Sequence, residues 1–203
     1  MKTRLLLGVI ACLASTSLFA ADSPAVGSKA PDFAVTDSNG KSQSISQYKG
    51  KYVVLEWFNP GCPFVKKHYG SGNMQSLQKK YGSKGVVWLT INSTSPDSSN
   101  YRSPAQSQQI ARDWSINSAA FMLDPDGKVG QAYGARTTPH MWVIDPQGKV
   151  IYSGGIDDKA TYRAADVQSA RNFVAAALDE SMAGKPVAVP AAAPYGCSVK
   201  YKY

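Results

Sequence analysis

Runs of apolar residues alternate with polar, turn-rich segments along the chain, and this pattern predicts alternating strands and helices. Residues 52–58, YVVLEWF, and 85–92, GVVWLTIN, are nearly continuous apolar and β-branched runs, which are typical of strands covered on both faces. A shorter strand is predicted over 121–123, and strands over 140–145 and 149–153 flank a Pro-Gln-Gly turn as a hairpin. The sequence therefore predicts a sheet with buried parallel strands and an antiparallel pair.

Helical periodicity separates these strands. A helix is predicted over 62–81, with a break at residues 70–72 because two glycines disfavour a helix interior, and another helix over 105–114. A long amphipathic helix is predicted over 164–182. The order βαβαββα predicts an α/β fold in which helices pack on both faces of a mixed sheet.

Both ends of the chain carry smaller features. A small hairpin formed by 33–36 and 40–43, followed by one helical turn around 44–48, precedes the first long strand. Residues 184–203 form a Pro/Ala-rich tail that we expect to be extended or flexible, and this tail carries Cys197. The length of 203 residues fits one domain of ordinary size.

The first twenty residues have the features of a secretory signal peptide. Lys2 and Arg4 precede the apolar run 5–13, which is too short to span a bilayer, and small residues end the segment. We expect cleavage after Ala20 and export to the bacterial periplasm or the medium, with no stable membrane insertion afterwards. The residues before Cys12 loosely resemble a lipoprotein box, so a lipid anchor at Cys12 is the alternative.

Removal of the signal peptide changes the net charge and the number of cysteines. Loss of Lys2 and Arg4 lowers the net charge from +8 to +6, and the remaining basic residues are scattered along the chain. This distribution indicates a solvated basic surface and no nucleic-acid partner. Two cysteines remain, Cys62 and Cys197, in a compartment where disulfides persist, so they form either a structural bridge or a redox couple.

Cys62 stands where the first buried strand turns into a helix, within the segment WFNPGCPF. Pro63 fits the first helical position, where a missing N–H costs nothing. The unpaired amides and the positive dipole end of a helix favour a thiolate at its start and lower the pKa of such a thiol. Cys62 is therefore a candidate nucleophile, and the alternative is an inert buried cysteine.

Two further residues can assist a thiol. Glu56 lies inside the apolar strand, where burial would raise its pKa and let it exchange a proton with Cys62; the alternative is a glutamate that reaches solvent. Pro139 comes just before the strand at 140–145 and can form a cis peptide bond. Its missing N–H leaves an edge that another backbone can approach.

Together these elements resemble the thioredoxin superfamily, and in particular the redoxin branch that groups AhpC/TSA domains with exported disulfide reductases. The resemblance spans about residues 27–183 and rests on APDF with the Gly50-Lys51 pair, on WFNPGCPF, and on TTPHMWVIDPQGKVIYSG. It implies a thioredoxin-like fold, with a central mixed sheet flanked by helices. It also implies a redox-active nucleophile at Cys62, a cis-proline at Pro139 beside it, and a buried acid at Glu56.

The chain also departs from the family patterns. The second cysteine of a thioredoxin-type CxxC motif falls at Val65, and the proline and threonine of a peroxiredoxin motif fall at Leu55 and Asn59. Cys62 thus has no local partner, and Cys197 supplies one if the tail folds back over the site. A reversible Cys62–Cys197 couple is the preferred hypothesis, and a permanent disulfide that staples the tail is its alternative.

Histidines raise the possibility of a metal. His68 and His140 could bind zinc or copper with Cys62, but His68 lies six residues after Cys62 and points away from it on an ideal helix. We therefore predict no metal and no other cofactor. Lys66 lies on the Cys62 face of the helix and either assists the thiolate or is solvated.

The sequence thus predicts an exported thiol-disulfide oxidoreductase or thiol-dependent peroxidase, with a signal peptide over 1–20, a thioredoxin-like domain over 21–183 and a tail over 184–203. A disulfide or peroxide would be the substrate, and a thiol the electron donor. The predicted catalytic residues are Cys62, Cys197 and Glu56, and the predicted substrate-binding residues are Thr138, Pro139, Trp57 and Pro63. The alternative class is a non-catalytic binding or metal-handling module with a structural disulfide.

Overall fold

The computed structural model describes residues 23–202. Its strands are β1 (Val35–Thr36), β2 (Ser42–Gln43), β3 (Val53–Trp57), β4 (Val87–Asn92), β5 (Ala120–Leu123), β6 (Thr137–Thr138), β7 (His140–Ile144), β8 (Val150–Gly154) and β9 (Cys197–Ser198). Its α-helices are α1 (Pro63–Gly70), α2 (Asn73–Gly82), α3 (Pro104–Asp113), α4 (Lys128–Ala132) and α5 (Phe173–Met182). Two 3₁₀-helices span Ser46–Tyr48 and Ala164–Ser169.

A five-stranded mixed sheet in the order β5-β4-β3-β7-β8 forms the centre of the molecule. β3 pairs parallel with β4 and antiparallel with β7, and β7 continues into β8 as a hairpin. β1 and β2 form the small hairpin that precedes β3. These pairings confirm the predicted α/β architecture and the predicted hairpins.

The alternation of side chains along β3 divides the interior into two cores. Val54 and Phe58 face the first core, which helices α1, α2 and α5 cover. Val53, Leu55 and Trp57 face the second core, which includes residues of α4 and of the N-terminal segment. Since successive strand residues point to opposite faces, Glu56 lies on the side of the first core. Burial on both faces explains why β3 is a nearly unbroken apolar run.

The helical segment after β3 breaks where the sequence predicts it. α1 ends at Gly70, and Gly72 adopts a left-handed backbone with φ of +73° before α2 begins at Asn73. A residue with a Cβ is disfavoured in this conformation, so glycine allows the chain to change direction here. The break lets α1 and α2 pack against each other and against the same face of the sheet.

The single long helix predicted over 164–182 is wrong. A 3₁₀-helix ends at Ser169, Ala170 and Asn172 are extended, and α5 begins at Phe173. The Asn172 side chain accepts a hydrogen bond from the amide of Ala175 at 2.8 Å, so it caps a new helix instead of continuing an old one. Apolar spacing continued across this junction, which is why periodicity alone suggested one helix.

The tail after α5 lies extended along the domain. Pro190 and Ala192 exchange backbone hydrogen bonds with Ser153 of β8, and β9 pairs antiparallel with β6. The tail approaches so closely that a Cβ on Gly154 would collide with the carbonyl of Ala192. Gly154 also has φ of +145°, so glycine is needed for both reasons.

The predicted signal peptide, its cleavage site and the alternative anchor at Cys12 lie outside the described residues. Among residues 23–202, no helix is long and apolar enough to cross a bilayer.

Candidate functional site

Cys62 occupies the N-cap of α1, at the end of the turn that follows β3. Its backbone is extended, with φ of −80° and ψ of 124°, and Pro63 takes the first helical position. The turn is held by Asn59, whose carbonyl accepts from the Cys62 amide at 3.0 Å and whose side chain accepts from the Gly61 amide at 2.8 Å. The sulfur therefore lies at the positive end of a helix, but the residue is only 1% exposed.

The residues before β7 form the wall against which Cys62 packs. The Thr138–Pro139 peptide bond is cis, as the sequence analysis anticipated. Cys62 Sγ donates a hydrogen bond to the carbonyl oxygen of Thr138 at 3.0 Å. Thr138 and Pro139 are thus placed beside the sulfur, and Pro63 follows it directly in the chain.

Cys197 lies at the same site although it is 135 positions further along the chain. In the register of β6 and β9, Cys197 is directly opposite Thr138, the residue that contacts the Cys62 sulfur. The side chains of Cys62 and Cys197 are in hydrogen-bond contact, and both cysteines are free thiols in this structure. Strand pairing therefore brings Cys197 beside the residue that the Cys62 sulfur contacts.

The surroundings push the pKa values of the two thiols in opposite directions. Burial opposes ionisation of Cys62, but hydrogen bonds with the side chains of Thr138 and Cys197 and with the backbone of Val65 and Cys197 hold its pKa below the ordinary value. Burial, and then contact with Cys62, raises the pKa of Cys197 to about 11. Of the two thiols, Cys62 is therefore the one that ionises more readily.

Glu56 is buried, which decides the question that the strand pattern left open. Its carboxylate accepts hydrogen bonds from Trp88 Nε1 at 2.8 Å and Tyr69 Oη at 2.8 Å, and from Gln78 Nε2 at 3.2 Å and Thr90 Oγ1 at 3.4 Å. Burial raises its pKa to about 7, although these hydrogen bonds favour the charged form. None of its hydrogen bonds within residues 23–202 reaches Cys62. Glu56 is therefore poised to titrate near neutral pH, with Tyr69 linking it to the Cys62 helix.

Exchange of Glu56 for glutamine is expected to change how stability depends on pH. Because the folded-state pKa of about 7 lies above the ordinary value of 4.5, the folded protein retains a proton that the unfolded chain loses first. The stability that Glu56 contributes through this retained proton is fully present below its ordinary pKa of 4.5 and is lost as the pH rises towards 7. We expect the unfolding free energy of the wild-type protein to fall by up to about 3 kcal/mol through Glu56 as the pH rises over this range. The Glu56→Gln variant has no carboxyl group here, so its unfolding free energy should not fall for this reason.

Urea unfolding of both proteins at several pH values measures this effect. Burial lowers the pKa of His68 to about 4 and of His140 to about 3, so both proteins also lose stability as the pH falls below 6.5. The difference between the two proteins cancels these histidine contributions and isolates Glu56. A difference that does not change between about pH 5 and pH 8 would contradict the raised pKa of Glu56.

Trp57 is not brought to this site. Its side chain is fully buried in the second core, where Nε1 donates to Ser93 Oγ at 3.0 Å and the ring packs against Trp142. The tryptophan thus packs in the core on the other side of the sheet from Cys62, so we leave Trp57 out of the proposed site. Alternation along β3 places it on the face opposite to Glu56.

The two histidines are buried and contact polar groups of the protein. The ring of His140 lies 3.8 Å from that of Trp142, and the Arg136 amide donates to its Nδ1 at 3.3 Å. His68 contacts Asp157 and Tyr195. Within residues 23–202, no group of three or more histidine, cysteine, aspartate or glutamate side chains could hold a metal ion.

One buried polar cluster beside the site was missed by the sequence analysis. It joins Lys67 and His68 of α1, Asp157 after β8, and Tyr195 of the tail, two residues before Cys197. The one available signal was the tyrosine close to a cysteine, in a tail otherwise rich in alanine and proline. Its partners come from two distant segments, so the spacing of residues could not reveal them.

Much of this chain is similar to known proteins. The AhpC/TSA family model matches residues 26–153 of this chain. The thiol-disulfide oxidoreductase ResA of Bacillus subtilis (strain 168) is 30% identical over 154 residues, which are 74% of this chain and 80% of that protein. The match to the family model includes the segments that carry Cys62 and Pro139 but ends before the tail that carries Cys197.

Two solved structures extend the comparison to the fold. An uncharacterized conserved protein from Geobacillus kaustophilus has a TM-score of 0.74 at 27% identity, covering 88% of this chain and 93% of its own. The thioredoxin domain of a thiol-disulfide oxidoreductase from Bacteroides vulgatus has a TM-score of 0.53 at 22% identity, covering 72% and 98%. These similarities confirm the predicted thioredoxin-like fold.

Proposed function

We propose that this chain, which belongs to the AhpC/TSA family and is a thiol-based oxidoreductase, exchanges disulfides through a reversible couple between Cys62 and Cys197. The observation that carries the proposal is the pairing of β6 with β9, in which Cys197 lies opposite Thr138, the residue whose carbonyl accepts a hydrogen bond from the Cys62 sulfur. The similarity to thiol-disulfide oxidoreductase ResA supports a disulfide as the substrate.

The reaction begins at Cys62. Its thiolate attacks one sulfur of the substrate disulfide, a mixed disulfide forms, and the other substrate sulfur leaves as a thiolate. Cys197 then loses its proton and attacks the Cys62 sulfur, which closes the Cys62–Cys197 disulfide and releases the second substrate thiolate. The substrate gains two electrons and the protein loses two. A donor thiol restores the reduced protein by the reverse exchange.

The remaining residues assist this exchange in our proposal. Thr138 and Pro139 present backbone to the substrate beside the sulfur, and Pro63 borders the sulfur at the helix start. Glu56, with a pKa raised to about 7, takes up or releases the proton that is exchanged at the site, and its hydrogen bond from Tyr69 connects it to α1. The segment 1–20 directs the protein to the periplasm or the medium.

A thiol-dependent peroxidase is the second candidate. It is favoured by Val65 at the position of the second CxxC cysteine, which leaves a single cysteine at the helix start. In that reaction the Cys62 thiolate takes one oxygen from a hydroperoxide, giving sulfenic acid and an alcohol or water. Cys197 then condenses with the sulfenic acid to give the same disulfide and water.

Parallel assays separate the two candidates. Wild-type protein with a donor thiol is given either a disulfide-bonded protein or hydrogen peroxide, and the consumption of donor is followed in each case. The proposal expects disulfide reduction to exceed the reaction of the donor alone, with peroxide consumption close to that background. Fast peroxide consumption without disulfide reduction would favour the peroxidase instead.

A further inference from the structure

The tail is attached to the domain by Tyr195, which precedes Cys197 by two residues. Its hydroxyl lies between the Asp157 carboxylate, to which it donates at 2.5 Å, and His68 Nε2 at 3.1 Å. The tyrosine ring packs edge-on against Phe64, with a centroid distance of 5.8 Å. The ammonium of Lys67 lies 5.5 Å from the centre of the same ring. Tyr195 therefore contacts three residues of α1, the helix that begins after Cys62, and one residue after β8.

The hydrogen bonds of His68 and Tyr195 in this cluster have a defined direction. The amide nitrogen of Asn73 can only donate, so it donates to His68 Nδ1 at 2.9 Å and makes this atom an acceptor. Burial lowers the pKa of His68 to about 4, so the ring is neutral and its one proton is on Nε2. That proton is donated to Tyr195 Oη, whose own proton goes to Asp157 Oδ1.

Tyr195 thus completes a buried chain of hydrogen bonds that runs from His68 to Asp157. The side chains of His68, Lys67 and Asp157 are almost entirely buried, and Lys67 Nζ lies 3.6 Å from Asp157 Oδ2. Lys67 Nζ also donates to the carbonyl oxygen of Lys159 at 2.7 Å. Without the tyrosine hydroxyl, a buried N–H of His68 would lose its acceptor and a buried carboxylate oxygen would lose a donor. Such losses are costly, so the tail is held firmly at this point.

The helix that presents Cys62 also holds the tail. Phe64, Lys67 and His68 belong to α1, whose N-cap is Cys62. Immediately after Tyr195, Gly196 has φ of +136°, and a Cβ on it would collide with the Thr138 carbonyl. Gly196 alone separates Tyr195 from Cys197. Because Tyr195 is attached to α1, and Cys62 is the N-cap of the same helix, the attachment holds the Cys197 sulfur near the Cys62 sulfur.

We propose that Tyr195 is a positioning residue for disulfide closure, because its hydroxyl anchors the tail so that Cys197 meets the Cys62 sulfur. The role rests on the proposed function of the two cysteines. Tyr195 touches neither sulfur in the reaction; it raises the local concentration of Cys197 at Cys62. When the anchor is released, the tail leaves β6 and Cys62 becomes accessible to a substrate disulfide. The anchor therefore favours closure and opposes the first attack.

Reaction of the reduced protein with a chromogenic aromatic disulfide tests the two steps separately. Attack by Cys62 forms a mixed disulfide and releases one aromatic thiolate, and attack by Cys197 on the Cys62 sulfur releases the second. The proteins compared are the wild type, Tyr195→Phe and the control Tyr52→Phe. Tyr52 loses a comparable hydroxyl contact, to Ser181 at 3.0 Å, away from the tail strand. Chemical unfolding of all three shows whether the domain remains folded.

We expect the Tyr195→Phe variant to close its disulfide about tenfold more slowly than the wild type, because hydrogen bonds to buried partners are lost. The variant should release the first aromatic thiolate at least as fast as the wild type. Partial unfolding of the variant would not give this result together with slower closure. A tenfold weaker closure should also raise the reduction potential by about 30 mV. The Tyr52→Phe variant should behave like the wild type in both steps.

Unchanged closure rate and reduction potential in Tyr195→Phe would overturn the positioning role while leaving the cysteine couple intact. Equal slowing in Tyr52→Phe would also overturn it, since the effect would then be general to the fold. If the wild type itself releases only one thiolate, Cys197 does not resolve Cys62. In that case the proposed couple fails, and the role of Tyr195 fails with it.

Discussion

Replacement of Cys62 by serine is expected to lower the rate of disulfide reduction by at least about a thousandfold, because the nucleophile itself is removed. A serine hydroxyl is not ionised at neutral pH and cannot form a disulfide. The substitution keeps a donor for the Thr138 carbonyl, which accepts from Cys62 at 3.0 Å, so the fold should be preserved. The measurement is the reduction of a disulfide-bonded protein by a donor thiol, with and without the variant.

The unfolding free energy of Cys62→Ser, measured in urea, is the control for its folding. A variant that is folded and still reduces disulfides at the wild-type rate would show that Cys62 is not the nucleophile. The same result would leave Cys197 as the reactive thiol, although its pKa is raised to about 11 by burial and by contact with Cys62. This prediction therefore tests the assignment of roles within the pair.

Replacement of Cys197 by serine is expected to leave the first attack intact and to block the second. The mixed disulfide between Cys62 and the substrate should accumulate, and turnover at low donor concentration should fall about a hundredfold, because an intramolecular thiol has a high effective concentration. Higher donor concentrations should restore part of the turnover, since an external thiol then attacks the mixed disulfide. Mass spectrometry after acid quenching detects the trapped adduct.

A permanent disulfide between the two cysteines gives a different result. In that case the Cys197→Ser variant would lose stability, and its free Cys62 would react faster than the wild type, which would lack a reduced thiol. Higher turnover in Cys197→Ser than in wild type, without a trapped adduct, would contradict the resolving role. Cys197→Ala distinguishes loss of the sulfur from any effect of the serine hydroxyl.

Much of the fold was predictable because local patterns and the final packing agree. The apolar run of β3 reflects burial on both faces, and the glycines at 70–72 mark the end of α1. α4 was not predicted because it is short, begins after a left-handed Gly127 and contains Gly130. Asn172 caps α5 in the middle of a continuous apolar pattern, so the junction there was hidden.

The site was predictable only as far as its chemistry lies in short segments. Cys62 and Pro139 are marked by their positions at the ends of strands, and the cis bond at Pro139 is present as anticipated. Alternation alone could not assign the face of Glu56 or of Trp57, because β3 is apolar on both sides. Pairing of β9 with β6 depends on contacts between segments far apart in the chain, so the position of Cys197 required the structure.

The reduction potential of the Cys62–Cys197 pair tests the central claim most directly. The wild-type protein is equilibrated in thiol-disulfide buffers of graded potential, its free thiols are blocked by alkylation, and the oxidised fraction is read by mass. A reversible couple predicts complete interconversion of the two forms with a midpoint above about −300 mV, the range of exchangeable disulfides. A midpoint below that value, or absence of the Cys62–Cys197 disulfide at every potential, would contradict it.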